Sequence, residues 1–299
     1  MRRLIFAGIF CSTFAPPVRA QRVPGRDLLE ITLGAGADVP ALATESGSGI
    51  WNPAAAVLPV GARARLGAGA LQGASDQGLG AQLLEAAVAA PRSITVGIAV
   101  LRASVDELVR TETDPQSIGG EIPYHTTLIS LHAAQQRTEY LSAGLALRYR
   151  TGQLDGDEHG AFGADAGLLA TGFGPRDVRV GASTFLWQPA GATEANATFH
   201  GGADLRIMGS DSTYEGRIGY GLAYTLRGAR EHYGVASGRL SRLSGRIGTA
   251  YSEEFGHHEW RLRLGLGLHY ARYVVGVVRE ENGAGMAPIY QFTLSALIR

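Results

Sequence analysis

The chain of 299 residues is 45% hydrophobic and 18% charged, and its 27 basic side chains balance its 27 acidic ones. This composition is too apolar for a disordered chain and lacks the basic excess of a nucleic-acid-binding protein, so we expect no nucleic-acid partner. The 42 glycines follow no strict three-residue period, which excludes collagen and favours closely packed, twisted β-structure.

Residues 1–20 have the pattern of a secretory signal peptide. Arg2 and Arg3 form a charged start, residues 4–14 an apolar core, and Ala20 ends a small-residue cleavage site, so the chain is predicted to be exported. The single cysteine, Cys11, lies inside this segment, so the mature chain would hold neither a disulfide nor a thiolate metal ligand. No later run approaches about 18 apolar residues, so a transmembrane helix is not expected. An exported chain can still cross a membrane as a closed barrel.

Residues 21–60 are rich in glycine and alanine and show no sustained alternation. Within them an acidic-Ser-Gly stretch is followed by Trp51, Asn52, Pro53 and Ala54. This order resembles the amino-terminal segment of FadL-type outer-membrane proteins, which include long-chain fatty-acid transporters and the PorV-like proteins of type IX secretion. The resemblance implies that residues 21–60 form a plug inside a barrel, and that the four residues of the motif belong to its gate.

Residues 260–270 alternate strictly between apolar and small or charged side chains, which is the period of a β-strand. Ten steps of about 3.3 Å, tilted by about 40°, span roughly 25 Å, the height of the apolar band on an outer-membrane barrel. Aromatic rings at both ends of a leucine row are typical of the two bilayer interfaces. A core strand of a soluble sandwich would show the same alternation, so this strand alone leaves both architectures open. The predicted lipid-facing belt consists of Trp260, Leu262, Leu264, Leu266, Leu268 and Tyr270.

The same alternation recurs through residues 61–299, for example in residues 94–100, 141–149, 218–226 and 290–298. The polar faces carry small residues and isolated charges instead of the long polar side chains of a sandwich surface, which favours a crowded barrel interior. About 240 residues at about 17 per strand and connection predict about fourteen strands. We therefore predict an all-β fold, a transmembrane antiparallel β-barrel of about 12–14 strands over residues 61–299, behind the plug. Residues 78–90 are ambiguous: their Ala, Leu and Glu content favours a helix, and we expect either a short helix or a ragged hairpin arm there.

Charged side chains on the small-residue faces are predicted to point into the lumen. They could pair with one another across the wall, or they could form a basic lumen that favours anionic solutes. The predicted lumen-facing residues are Arg148, Asp165, Asp204, Arg206, Arg261 and Arg263.

No group of residues predicts an enzyme. Neighbouring residues of a strand point to opposite sides, so His257 and His258 cannot hold one metal from a strand. No Ser-His-acid grouping or phosphate-binding loop can be argued from spacing. We therefore expect no catalytic residues, no metal and no cofactor.

The resemblance implies an outer-membrane protein for passive transport of hydrophobic or amphipathic small molecules. The alternative is a PorV-like scaffold for protein secretion or cargo attachment at the outer membrane. The expected partners are outer-membrane lipid and either a hydrophobic small-molecule ligand or secretion-system proteins.

Overall fold

The computed structural model describes residues 23–29, 35–74, 78–111, 118–188, 197–209, 213–226, 228–254, 257–281 and 287–299. The predicted signal peptide, residues 1–20, lies outside these ranges. Among the described residues, no helix has the length and apolar character needed to cross a membrane.

Fourteen of the strands form one closed antiparallel barrel, in which β1 pairs with β16 to complete the ring. The remaining two, β4 and β5, form a separate two-stranded ribbon in the connection between β3 and β6. The prediction of a closed antiparallel barrel of 12–14 strands is confirmed. The strands are β1 (Ala64–Gln72), β2 (Leu79–Ala90), β3 (Ile94–Val105), β4 (Val109–Thr111), β5 (Ile118–Glu121), β6 (Tyr124–Gln136), β7 (Leu141–Leu154), β8 (Asp157–Phe173), β9 (Val178–Phe185), β10 (Thr198–Met208), β11 (Tyr214–Thr225), β12 (Arg230–Leu240), β13 (Leu243–Glu254), β14 (His257–Tyr270), β15 (Tyr273–Glu281) and β16 (Ile289–Ile298).

The segment before β1 contains only short helical pieces. One turn of α-helix, α1 (Ser48–Trp51), lies among three 3-10 turns at Asp27–Leu29, Pro40–Leu42 and Pro53–Ala56. Nearly all of their residues are buried, although so short a segment has no core of its own. The barrel wall around them supplies that burial.

The two ends of the barrel differ in the length of their connections. At the end that holds the start of β1 and the end of β16, here called the lower rim, the connections span only two to five residues, such as 241–242 and 209–213. At the opposite end, the upper rim, they reach 18 residues at 106–123 and 12 residues at 186–197. Short turns at one end and longer loops at the other are the usual asymmetry of outer-membrane barrels.

The ambiguous residues 78–90 form strand β2, not a helix. Twelve consecutive residues of β2 pair with β3, and nine of them also pair with β1 on the other side. Helix propensity amounts to a few tenths of a kcal/mol per residue, so backbone pairing on both edges readily overrides it.

Candidate functional site

The plug segment runs through the lumen from the upper rim to the lower rim. Near the upper rim, Arg150 donates to the backbone oxygen of Pro24 at 3.1 Å, and the Tyr124 hydroxyl donates to Asp27 at 2.7 Å. Near the lower rim, the Leu58 amide donates to Thr95 at 3.1 Å. Between these points the described residues of the plug cross the inside of the barrel.

Asn52 joins the middle of the plug to other plug residues and to the barrel wall. Its side-chain nitrogen donates to the backbone oxygen of Ala41 at 2.7 Å and to that of Leu168 in β8 at 3.1 Å, while its side-chain oxygen accepts from the Ala54 amide at 3.0 Å. Asn52 is fully buried, so these bonds replace water at three positions. The last bond caps the 3-10 turn that Pro53 opens, because proline already holds the φ angle that the turn requires.

The other motif residues lie in the same place. Trp51 is 2% exposed, and its backbone oxygen accepts from Ser183 in β9 at 2.7 Å. The backbone oxygen of Ala54 accepts from Ser142 in β7 at 3.1 Å. The four residues predicted as a gate thus form one continuous contact between the plug and the wall at β7–β9.

Glycines on the inner wall make this contact possible. A Cβ added at Gly167 would overlap Asn52 Oδ1 and lie 3.0 Å from Pro53 Cδ, and one at Gly144 would overlap the backbone of Pro53 and Ala54. The small polar faces seen in the sequence therefore leave room for plug backbone to lie directly against strand backbone.

Charged wall residues hold the plug at three further points. Glu85 in β2 accepts from Ser46 at 2.9 Å and from the Gly47 amide, and its second oxygen pairs with Arg65 at 2.8 Å. Arg148 in β7 donates to the backbone oxygen of Ile50 at 2.5 Å. Arg246 in β13 pairs with Glu45 of the plug at 2.6 Å. Sequence reasoning missed Glu85 because its strand was taken as a possible helix.

All six predicted lumen-facing charges lie on the inward side of their strands, and Arg148, Asp165 and Arg263 are each 2% exposed. Each has a partner of opposite charge, which favours the paired reading of the lumen over the basic one. Some partners are acids near strand ends that the sequence did not single out. The pairs are Arg148 with Asp165, Arg206 with Asp177, Arg261 with Glu231, Arg263 with Glu280, and Asp204 with both Arg179 and Arg217.

Three aromatic side chains meet where the plug touches β9 and β10. Trp51 stacks on Phe185 with ring centres 4.9 Å apart, and His200 lies 5.9 Å from the first and 6.0 Å from the second. Phe185 and His200 belong to strands remote in sequence from the plug, and no local pattern pointed to their meeting.

Two cavities flank the plug inside the barrel. The upper chamber has a volume of 280 Å³ and lies towards the upper rim; its floor is formed by Trp51, Phe185 and His200, and its wall includes Glu231, Glu259, Arg261 and Glu280. The lower chamber has a volume of 340 Å³ and lies towards the lower rim, where Arg65, Arg179, Arg217 and Arg246 line it. The plug therefore separates a chamber on each side.

A third hollow, with a volume of 890 Å³, lies on the outside of the barrel. Outward-facing small residues such as Ala143, Ala166 and Ala182 form it across β6–β11. Continuous backbone pairing of β6, β7 and β8 separates it from the lumen.

The six residues of the predicted belt all point outward and are between 38% and 73% exposed. Contacts between outward aromatic side chains cluster towards the upper rim. Tyr251 lies 4.8 Å from Trp260 and stacks on His258 at 5.8 Å, and the Tyr251 hydroxyl lies 2.7 Å from His258 Nδ1.

No protein-family model matches the chain, and no curated protein matches it. Several solved structures do match the chain. The CymD monoaromatic hydrocarbon channel is 12% identical, with a TM-score of 0.65 over 89% of this chain and 98% of that one. The toluene transporter TodX of Pseudomonas putida is 12% identical, with a TM-score of 0.55 over 89% and 98%. A FadL homologue from Pseudomonas aeruginosa is 11% identical, with a TM-score of 0.54 over 89% and 96%. This chain therefore has the fold of these channels and of the FadL homologue.

Proposed function

We propose that this protein is an outer-membrane channel for passive transport of hydrophobic or amphipathic small molecules, with the plug as its gate. The observation that carries the proposal is the position of Trp51 and Asn52. They lie between the two chambers, and the buried Trp51 side chain borders the upper one. A hydrophobic molecule in the upper chamber would thus lie next to the gate.

The outer surface supports insertion in a membrane. Leucines occupy the middle of the outward row of β14, and Trp260 and Tyr270 occupy its ends. Exposed leucines in water are unfavourable by about 25 cal/mol per Å², whereas a bilayer accepts them, and its interfaces accept the rings. In outer-membrane barrels the short turns face the periplasm, so this proposal assigns the lower rim to the periplasmic side and the upper chamber to the extracellular side.

Opening requires the plug to leave the wall at β7–β9. The hydrogen bonds to be broken there are those from Asn52 to Leu168, from Ser142 and Ser183 to plug backbone, and from Arg148 to the backbone oxygen of Ile50. Gly47, with a φ angle of 87°, precedes α1 and lets the chain turn there. A ligand that replaces the contacts of Trp51 would shift the plug towards the displaced state.

The shared fold supports the same conclusion, since CymD and TodX are described as a hydrocarbon channel and a toluene transporter. The scaffold alternative has no comparable support among these neighbours. We therefore keep transport as the proposed function.

The experiment is uptake of a radiolabelled monoaromatic hydrocarbon by cells that lack their own channel and express this chain. We expect uptake above that of cells without the protein, and Trp51→Ala to reduce it at equal abundance in the outer-membrane fraction. Trp187→Ala is the matched control, because Trp187 is 47% exposed and lies in the upper connection after β9. Equal uptake by cells with and without the protein, or recovery of the chain in the soluble periplasmic fraction, would refute the proposal.

A further inference from the structure

Arginines surround the lower rim. Of the six strand-to-strand connections at this rim, five carry one arginine each, and another arginine immediately precedes β1. All six residues are exposed, and none forms an ion pair with a carboxylate among the residues that the structure describes. In the described parts of these connections the carboxylates are Glu139 and Asp177, and Asp177 pairs with the lumen residue Arg217 at 2.8 Å. The six arginines are Arg63, Arg92, Arg137, Arg176, Arg242 and Arg272.

The upper rim has the opposite sign of charge. The described parts of its connections contain four carboxylates and a single arginine, Arg110, which itself pairs with Asp155. The chain as a whole has no net charge, so the excess of positive charge at the lower rim results from how the residues are distributed. The four carboxylates are Asp106, Glu107, Glu121 and Asp155.

Two of the lower arginines lie on aromatic rings of the outer surface. Tyr270 at the end of β14 and Tyr273 at the start of β15 are directly paired across the turn, and their side chains are 60% and 40% exposed. The guanidinium of Arg242 lies 5.5 Å from the centre of the Tyr270 ring, and that of Arg272 lies 5.1 Å from the centre of the Tyr273 ring. These four residues, here called the Arg–Tyr cluster, therefore combine two positive charges with two neighbouring rings.

Most hydrogen-bond donors of the two guanidinium groups remain available. Arg272 donates to the Tyr273 hydroxyl at 2.8 Å, and the Arg242 side chain has no hydrogen-bond partner in the described part of the chain. A guanidinium that lies on a ring uses its planar face, whereas its five N–H groups point outward from its edge. Such donors match the oxygens of a phosphate group, which they bind in pairs. The Arg–Tyr cluster is thus suited to a phosphate.

The surface next to the cluster indicates which phosphate it binds. The outward rows of β14 and β15 continue from the two tyrosines with Leu268 and Leu266 on one strand and Val275 and Val277 on the other, each between 37% and 73% exposed. Arg272 also borders the lower chamber, so the cluster lies at the rim itself, where the lipid-facing surface ends. A phospholipid matches both parts, since its acyl chains can lie along the apolar rows while its phosphate meets the arginines.

We propose that the Arg–Tyr cluster binds the headgroup of an anionic phospholipid, with the phosphate between Arg242 and Arg272 and the acyl chains along β14 and β15. The other arginines of the lower rim attract anionic lipids to this end of the barrel. A zwitterionic lipid carries the same phosphate, but its own ammonium group offsets the attraction, so the site prefers lipids with a net negative charge. This inference goes beyond transport and requires only that the barrel is inserted in a membrane.

Binding of two lipids with identical chains tests the proposal. The full-length protein in non-ionic detergent is titrated with dioleoylphosphatidylglycerol or dioleoylphosphatidylcholine, and bound lipid is counted by native mass spectrometry. We expect tighter binding of phosphatidylglycerol, and less of it at high salt. The double variant Arg242→Gln, Arg272→Gln should weaken phosphatidylglycerol binding at least about fivefold and leave phosphatidylcholine binding unchanged.

The matched control is the double variant Arg110→Gln, Arg279→Gln. It removes the same number of charges from exposed arginines near the upper rim, which pair with Asp155 and Glu281. Circular dichroism establishes first that both double variants form the barrel, and the control should bind both lipids as the unmodified protein does. Equal affinity for the two lipids, or an equal loss in the control, would overturn the proposal. Displacement of phosphatidylglycerol by millimolar inorganic phosphate would also overturn it, because the site would then bind a free anion. Hydrocarbon uptake is measured separately, so each of these results leaves the transport proposal to its own assay.

Discussion

The contact between Gly167 and Asn52 offers the most direct test of the gate. In Gly167→Ala the new methyl group would overlap Asn52 Oδ1, so the Asn52 side chain must move away from β8. Gly167 lies in a regular strand, and alanine is tolerated there by the backbone itself. The substitution therefore perturbs the plug while leaving the wall intact.

The magnitude follows from the bonds that Asn52 makes. Three hydrogen bonds, at 2.7, 3.1 and 3.0 Å, depend on its position. At about 1 kcal/mol net for each bond, their loss shifts the plug by about 2 to 4 kcal/mol towards the displaced state. Each 1.4 kcal/mol is about a tenfold change in an equilibrium constant, so the open population should rise by well over tenfold.

The assay is single-channel conductance in planar bilayers, with abundance in the outer membrane measured in parallel. We expect frequent openings in Gly167→Ala and few in the unmodified protein. Gly201→Ala is the control, because an added Cβ at this outward-facing glycine has no atom within 4 Å. In an Asn52→Ala background the further effect of Gly167→Ala should be much smaller, since both act through one side chain. Equal conductance of Gly167→Ala and Gly201→Ala would refute the reasoning.

Three other changes test the membrane face, the contact of Glu85 with the plug, and the plug as a whole. Leu264→Arg should lower the free energy of unfolding in lipid vesicles by about 2 to 4 kcal/mol, whereas Gly265→Ser on the inner face should cost less; equal effects would mean that the faces are reversed. Glu85→Gln leaves buried Arg65 without its partner, and we expect a loss of about 3 to 5 kcal/mol in urea unfolding, together with faster proteolysis of the plug. An unchanged unfolding midpoint would contradict a stabilising role of Glu85. Deleting residues 28–49 should leave an assembled but leaky barrel; failure to assemble would make the segment a folding element instead of a gate.

Alternation of side chains, together with the small residues on the polar faces, predicted the barrel. A strand places successive side chains on opposite faces whatever its neighbours are, so the outward row of β14 and the inward position of Arg148 can be read locally. The motif from Trp51 to Ala54 was likewise recognisable from its order and its place before the first strand. These features depend only on residues close together in the chain.

Contacts between remote residues were decided by the tertiary structure. The closure of β1 on β16 sets which inward side chains become neighbours, so Arg263 meets Glu280, and Asp204 meets Arg179 and Arg217. Residues 78–90 became a strand because both of their edges found partners. The role of the glycines of β7 and β8 is seen only in the folded structure, where the plug lies directly against them. Strand periodicity is a property of the local backbone. Pairing, cavities and plug contacts depend instead on the register between segments that are far apart in the chain. The sequence pattern of one segment does not record that register.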